Sequence, residues 1–515
     1  MDDELLLLLG GKHEQPKPKN KILMNIFGKK RDKHKYEIVN PLRKSDIFYE
    51  QVYEFFYYSG FETIITLKIT QLLSLIFGVI FSIFMILLLD WGDLLQCNID
   101  CKPLKEYFDY ELSTFQTIMI FGSIILLLYR CIYFSIDITK LIKIREFYKL
   151  HLNISAKDLQ TISWQDIISK LSDSQDLNID EITNIILRKE NFLIALINKK
   201  IINIEPKSFT RQFHSNIHFI LLNKLNSDNI TLRNRFIIAG FLNLLFTPFI
   251  LLGIFIHFFM QNIVEINTNK NLLGPRRYSL HALWSFREYN ELDHFFEARI
   301  NTSLKYANIY TKLFPSSLVN IIAKFISLVT GAFVGFFLII SIFDEKVLLY
   351  VTLSNRTLLF YAGIAGSISS LAHSFILSPD TNIFNLHNQR NSVMSKLQSY
   401  IRYKPSLWEN NGYKFEVHKE FLELFQYKFL LFMYELIGVF TIPFILFDLS
   451  KQTKDIIEFI DKNTHMDENI GNICKFANFN RSKDVEKQRN IEDKSDLSQM
   501  SFFENHSDCQ FSRFL

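Results

Sequence analysis

The chain has 515 residues, of which 48% are hydrophobic and 21% charged, with 51 Phe, 21 Tyr and a formal net charge of +4. A mean hydropathy of +0.10 with that aromatic load excludes an intrinsically disordered protein, five Cys exclude a disulfide scaffold, and 17 Gly exclude a collagen-like chain. Beyond the first 45 residues no basic run is large enough to coat nucleic acid, so the apolar residues are read first for membrane segments.

Residues 1–45 form a polar tail, predicted disordered, whose basic residues, eleven Lys and Arg up to Lys44, place it in the cytosol, where positive charge accumulates. Leu5–Leu9 is too short and too acid-flanked for a cleavable signal peptide; Asp2-Asp3-Glu4 before leucines matches a weak acidic dileucine sorting pattern. Region 46–134 opens on an aromatic stretch (47–58) suited to a bilayer interface. It holds two predicted spans, Ile64–Leu89 and Thr114–Phe134, joined by a lumenal loop, 90–113, with Lys102 and Lys105 against six acids. Region 135–235 is a cytosolic helical region, with Ile182, Ile185, Ile186, Phe192, Ala195 and Leu196 at amphipathic spacing. Residues 236–260 are an apolar run containing Pro248, and 261–317 a second cytosolic helical region. Residues 318–377 hold the third and fourth spans, Leu318–Phe343 and Leu358–Leu377, around lumenal loop 344–357. Region 378–428 is again cytosolic and helical, 429–447 is a second apolar run containing Pro443, 448–482 is the last cytosolic helical region, and 483–515 is a tail predicted disordered.

The two proline runs share a local pattern, Phe246-Thr247-Pro248-Phe249-Ile250-Leu251 and Phe440-Thr441-Ile442-Pro443-Phe444-Ile445-Leu446. Proline inside a helix removes one hydrogen bond and crowds the carbonyl four residues back, which allows either a kinked span or a re-entrant hairpin. Loop charge separates the two. If all six runs crossed, 261–317 and 378–427, with seven and six basic residues, would be lumenal, and 344–357, with Lys346 and Arg356, cytosolic. If both proline runs re-enter on the cytosolic face, every strongly basic loop is cytosolic. The expected class is an all-α polytopic membrane protein with four transmembrane helices, two re-entrant helices and both termini in the cytosol. Cys97 and Cys101 share the lumenal loop, where they are free to pair.

No catalytic constellation emerges. The chain has no Walker loop, dinucleotide fingerprint, nucleophile elbow or Cys-x-x-Cys pair, and no cofactor or metal is expected. His214 and His218 have the spacing of zinc ligands but lack an acidic third ligand, and Glu288, Glu291 and His294 read as a charge-paired helix face with Arg287 and Arg299. Polar groups within apolar runs carry more information, because they are costly against lipid tails: Lys324, Asn243, Thr247, Thr330, Ser367, Ser369, Ser370 and His373. The stretch Ala362–Ser367 reads as a small-residue packing surface, and Lys324 lies close enough to the interface to snorkel.

Leu232–Arg299 contains Trp284-Ser285-Phe286-Arg287-Glu288-Tyr289-Asn290-Glu291-Leu292-Asp293-His294. With Phe314-Pro315-Ser316, Ile321–Phe325, Leu424–Lys428, both Pro-Phe-Ile segments and Cys474–Ala477, this resembles the autophagy-related protein 9 family over about residues 46–480. The resemblance implies a domain-swapped homotrimer with a central pore and lateral branches. It implies phospholipid scrambling without ATP, with no covalent chemistry. It places the chain on Golgi, endosomal and cytoplasmic vesicle membranes and at the phagophore assembly site. The implied partners are phospholipids, a bridge-like lipid-transfer protein of autophagy and other autophagy initiation proteins. The tails are short beside many members, and His373 stands where a fixed basic residue is expected late in the fourth span.

The mechanism expected from these residues is a wet groove that carries the headgroup while the tails remain in lipid. Lys324, Asn243, Thr247 and Thr330 are the leading candidates for lining it, with Ser370 and His373 beside them. The main rival is a non-scrambling vesicle scaffold that recruits autophagy partners. An ion channel or transporter ranks last, on the expectation that neither proline segment carries a carboxylate and no span an acidic ion site.

Overall fold

The computed structural model describes residues 41–84, 89–96, 103–108, 113–221, 228–269, 275–314, 317–354, 356–373, 375–376, 386–479 and 494–506. Residues 1–40 of the expected N-terminal tail, and Cys97 and Cys101, lie outside them.

Helix α1 (Pro41–Tyr57) turns at Gly60, whose φ of 103° suits glycine, into the apolar helix α2 (Phe61–Ser82). A short helix, α3 (Trp91–Gln96), precedes α4 (Thr114–Leu150). Ser113 and Gln116 close a capping box at the start of α4, and its 37 residues run about 55 Å without a break. The expected boundary at Phe134 therefore does not exist as a helix end: one helix carries the second span straight into the region beyond it, as far as Leu150. Ile118, Phe121, Leu128 and Ile132 on α4, and Leu73 and Phe77 on α2, are exposed, as lipid-facing residues are.

Four short helices follow: α5 (Trp164–Gln175), α6 (Ile179–Ile186), α7 (Arg188–Asn198) and α8 (Arg211–Ile220). The first proline run begins at α9 (Asn229–Leu245) and breaks by 70° into α10 (Thr247–Asn269). Pro248 is the second residue of α10, so it denies Leu244 the amide that a continuous helix would supply. Strand β1 (Arg276–Tyr278), α11 (Leu280–Phe286) and α12 (Asp293–Lys312) lead to α13 (Ser317–Phe343). A hairpin turn built from α14 (Glu345–Tyr350), β2 (Thr352–Leu353) and β3 (Arg356–Thr357) returns the chain along α15 (Leu358–His373). Then come α16 (Leu386–Ile401), α17 (Phe415–Leu424), and β4 (Phe425–Tyr427), which pairs antiparallel with β1. Helix α18 (Lys428–Leu449) carries the second proline run, followed by α19 (Thr453–Lys462), the β5 (Thr464–Asp467) and β6 (Gly471–Cys474) hairpin, and α20 (Lys494–Asn505).

Among the described residues four helical stretches are long and apolar enough to cross a membrane: Phe61–Phe81, Gln116–Leu150, Leu318–Phe343 and Lys428–Leu449. The number matches the expectation but the set does not. Helix α15, the expected fourth span, has 16 residues and reaches about 24 Å, whereas α18 continues unbroken through Pro443 for 22 residues. The kink expected at Pro443 is absent as a break; a helix held along its side tolerates one missing hydrogen bond. Burial distinguishes α18 from the other three. A third of its apolar window is buried inside the protein, against 11%, 0% and 6% for the others.

The described residues form three apolar cores. One gathers Phe48, Val52, Phe147, Trp164 and Ile182 from α1, α4, α5 and α6. A second joins α7, α8 and α9 to α18 and α19 through Phe192, Phe213, Phe236, Ile442 and Ile456. The third packs α11 and α12 on α16 and α17 around Phe286, Tyr310, Leu397 and Phe421. The Trp284–His294 signature ties these cores together. Asn290, at φ 54°, exchanges hydrogen bonds with Asn191 and donates to Ala477 O at 2.8 Å. Glu291 pairs with Arg299 at 2.6 Å, both nearly buried, and His294 meets Tyr53 at 2.9 Å. Glu288 pairs instead with Arg402, and Arg287 with Asp293.

The C-terminal stretch corrects the disordered-tail expectation. Helix α20 docks on these cores, with Phe502 buried against Phe479, Lys494 Nζ donating to Ser285 O at 2.8 Å, and Ser498 Oγ accepting from Tyr289 N at 3.1 Å. Its polar composition hid it: Phe502, Ser498 and Ser501 make the buried face, while Met500 and Phe503 are exposed.

Candidate functional site

A cavity of about 970 Å³ opens between α8, α10, α18 and the β1–β4 ribbon, with Asn243 of α9 also in its lining. Close approach of the helices makes it. Gly240 on α9 faces Phe447 of α18, where a Cβ would fall 2.4 Å from Phe447 Cε1. Gly438 of α18 faces Thr210, which caps α8 by accepting from Phe213 N.

Polar groups line this cavity in a connected order. Glu435 of α18 accepts from Arg211 N at 2.9 and 3.2 Å, holding the first turn of α8. The Arg211 guanidinium lies 3.2 Å from His257 Nε2 on α10. Asn243 accepts from Gln212 Nε2 at 2.7 Å and donates to Asn216 Oδ1 at 2.8 Å and Ala239 O at 2.7 Å. Thr247 Oγ1 donates to Asn243 O at 3.0 Å, satisfying a carbonyl at the broken helix end. Two buried acceptors, Gln212 Oε1 and Gln426 Oε1, take no hydrogen bond from the described residues, although both residues line the cavity. Lys207, Arg277 and Lys428 add positive charge at its edges, and Ile250, Ile254 and Phe258 supply an apolar wall. A cavity with one wet side and one apolar side suits an amphipathic ligand with a charged head and hydrocarbon tails.

Of the residues expected from sequence, Asn243 lines this groove and Thr247 binds its carbonyl. Pro248 shapes the break, and Pro443 lies buried in α18. Lys324, Thr330, Ser370 and His373 belong to the α13–α15 hairpin and do not line the groove. Lys324 and His373 are exposed, and Thr330 Oγ1 donates to Ile326 O at 2.7 Å within its own helix. Arg211, Gln212, Asn216, His257 and Glu435 escaped the sequence reading. Glu435 overturns the expectation that the proline segments lack a carboxylate. An acid in an apolar run was the available signal; its partner, 224 residues away, left no trace at any helical spacing.

The histidine pair is structural. His214 and His218 ring centres lie 6.2 Å apart, and His214 packs 5.1 Å from Trp284. Burial, then His218 and Arg287, pushes His214 down to about 4, so it is neutral at pH 7. Among the described residues no three His, Cys, Asp or Glu stand close enough to hold a metal.

Residues 39–480 match the family model described as autophagy protein ATG9. The chain belongs to the ATG9 family. It is 30% identical to Autophagy-related protein 9 of Schizosaccharomyces pombe, with 89% of this chain and 72% of that one covered. It is also 30% identical to the Dictyostelium discoideum protein of the same name, covering 86% and 67%. The Saccharomyces cerevisiae relative is 29% identical, and the chain spans 47% of its length. The cryo-EM structure of Schizosaccharomyces pombe Atg9 superposes with a TM-score of 0.64 over 84% of this chain and 98% of that one, at 30% identity. This chain is thus a mostly helical, multi-pass ATG9-family protein with a role in autophagy. Helix α20 lies beyond the part that the family model matches.

Proposed function

We propose that this ATG9-family chain moves phospholipids between leaflets without ATP, on vesicle and growing autophagosomal membranes. The observation that supports this reading is the groove itself: the connected polar row Glu435–Arg211–Gln212–Asn216–Asn243 faces an apolar wall at a broken helix. A headgroup crossing hydrocarbon loses its hydration at large cost, and such a row replaces the lost hydrogen bonds stepwise while the acyl chains stay in lipid.

Four helices cross in this proposal, and the two proline segments re-enter from the cytosolic side. The burial of α18 and the 70° turn after Leu245 favour re-entry over crossing. Helices α13 and α15 pack extensively on each other and leave Ile321, Phe325, Leu328, Phe336 and Leu359 exposed. We assign this apolar surface partly to lipid and partly to neighbouring copies in a domain-swapped homotrimer, where Lys324, Thr330, Ser370 and His373 would face a shared pathway. A bridge-like lipid-transfer protein and other autophagy initiation proteins complete the proposed setting. The proposed membranes are Golgi, endosomal and cytoplasmic vesicle membranes and the phagophore assembly site, with both termini cytosolic.

The test uses liposomes carrying a fluorescent lipid in both leaflets and an impermeant quencher. Scrambling takes the loss well beyond about half while a trapped soluble dye stays inside. Asn243→Leu should slow the transbilayer phase by about tenfold, because it takes away the partner of Gln212 Nε2 and of Asn216 Oδ1 in the groove. The Lys324→Leu, Thr330→Leu pair should slow it too. Loss confined to the outer leaflet supports the scaffold reading, and escape of trapped ions the channel reading. Unchanged rates in correctly assembled variants would remove these residues from the path.

A further inference from the structure

A second cavity, about 390 Å³, lies where the first turn of α2 and the last turns of α4 meet the loop at 153–160. Gly60 forms one edge, and a Cβ there would come within 2.9 Å of Leu159 Cδ2. Arg145 and Lys149, one helical turn apart on α4, both line it. Neither has a carboxylate within salt-bridge distance among the described residues. Arg145 is held over the Phe61 ring at 5.0 Å, which places its guanidinium at the mouth. Ser59, Asn153 and Gln160 add neutral donors and acceptors, and Glu62 is the one acid.

The cavity has a definite depth relative to the apolar belt. Lys68 and Asp137 pair at 3.0 Å across α2 and α4. Phe61 is seven residues before Lys68 and Arg145 eight residues after Asp137, so the cavity sits about 10–12 Å further along both helices. The exposed apolar residues Leu73 and Phe77 of α2, and Phe121, Leu128 and Ile132 of α4, lie on the other side of that pair. The cavity therefore occupies the headgroup layer at the basic, cytosolic end of the first two spans.

We propose that this pocket binds the phosphorylated polyol headgroup of an inositol phospholipid in the cytosolic leaflet. Two cations, neither of them in a salt bridge and set against a single acid, call for a multiply charged anion. Choline and ethanolamine headgroups would bring a cation against them. A phosphate with no hydroxyls would leave Glu62 facing negative charge, whereas ring hydroxyls donate to Glu62 and exchange hydrogen bonds with Ser59, Asn153 and Gln160. A volume near 390 Å³ falls within the range of about 300–1,000 Å³ typical of small-ligand sites. The site is separate from the groove of the proposed lipid path, so it would anchor or sort the protein by membrane identity rather than carry the lipid across.

The test uses the full chain in phosphatidylcholine nanodiscs and a fluorescent dioctanoyl phosphatidylinositol 4-phosphate as probe, read by polarisation. Saturable binding is expected. Arg145→Gln with Lys149→Gln should weaken it at least tenfold, and Lys157→Gln with Lys170→Gln, outside the cavity, should leave it unchanged. Glu62→Gln, a milder change, should narrow the preference for this lipid over phosphatidic acid at least threefold. An unchanged affinity in the Arg145/Lys149 pair, or an equal loss in the Lys157/Lys170 pair, overturns the pocket. Free inositol 1,4-bisphosphate should bind at least tenfold more weakly than the lipid. Equal or tighter binding of the free compound overturns the lipid assignment in favour of a soluble inositol phosphate.

Discussion

At Asp180 a partly buried carboxylate is held by two amides, Asn184 Nδ2 at 3.1 Å and Asn290 Nδ2 at 3.3 Å. Burial first, then Glu181 and Asp467, pushes it up to about 7. The folded form keeps its proton where the unfolded chain, near 3.8, has lost it. Its contribution to stability is thus complete below about pH 4 and is lost as pH rises through 7. Asp180→Asn keeps the acceptor without the charge, so it should raise the melting temperature at pH 8 and change it little at pH 4. An equal shift at both would show that charge is not what matters there. Gly240 belongs to the same scale. Alanine would press its methyl into Phe447, and overpacking of this kind costs about 1–3 kcal/mol. Gly240→Ala should lower the melting temperature and raise exposure of α9 amides to exchange.

Single helices in this chain are explained by what lies beside them. Helix α4 holds one axis across a lipid-facing part and a packed part because its cap is strong and nothing in 114–150 breaks it. Helix α18 keeps its axis through Pro443, where Val439, Ile442 and Leu446 are fully buried against α8 and α9. The break after α9 has no such continuous support, and Thr247 satisfies one of the freed carbonyls. Helix α20 depends on Phe502 and a few side-chain hydrogen bonds. Phe502→Ala removes a buried aromatic whose truncation typically costs about 3–5 kcal/mol. Hydrogen exchange across 494–505 should then rise by at least tenfold while α7 and α16 keep their protection. Unchanged exchange would mean that the polar contacts suffice to dock the helix.

For the whole molecule, the apolar faces of the α13–α15 hairpin exceed what one chain covers. Purified in mild detergent, the protein should have a protein mass three times the 60.8 kDa of one chain, by light scattering corrected for detergent. A stable monomer would remove the proposed trimer and leave that surface wholly to lipid.

Much of this organisation was legible before any coordinates. Long apolar runs, their lengths and the basic loops between them have local physical causes: a bilayer of fixed thickness and a charge bias across it. Asn243, Thr247 and Pro248 were found because a polar or helix-breaking residue in an apolar run announces its own cost. The Trp284–His294 signature identified the family, and the structure shows its Asn290 and Glu291 tied to Asn191 and Arg299 of neighbouring elements. Only the tertiary structure decided that α18 is straight and α9–α10 broken, because packing along the helix, and not the proline alone, sets the outcome. It also decided that 494–505 is a docked helix, since its few apolar contacts need a partner surface to have value. Arg211 with Glu435, and Phe61 with Arg145 and Lys149, are sites made by residues far apart in the chain, and no period or spacing in a sequence records which distant side chains will meet.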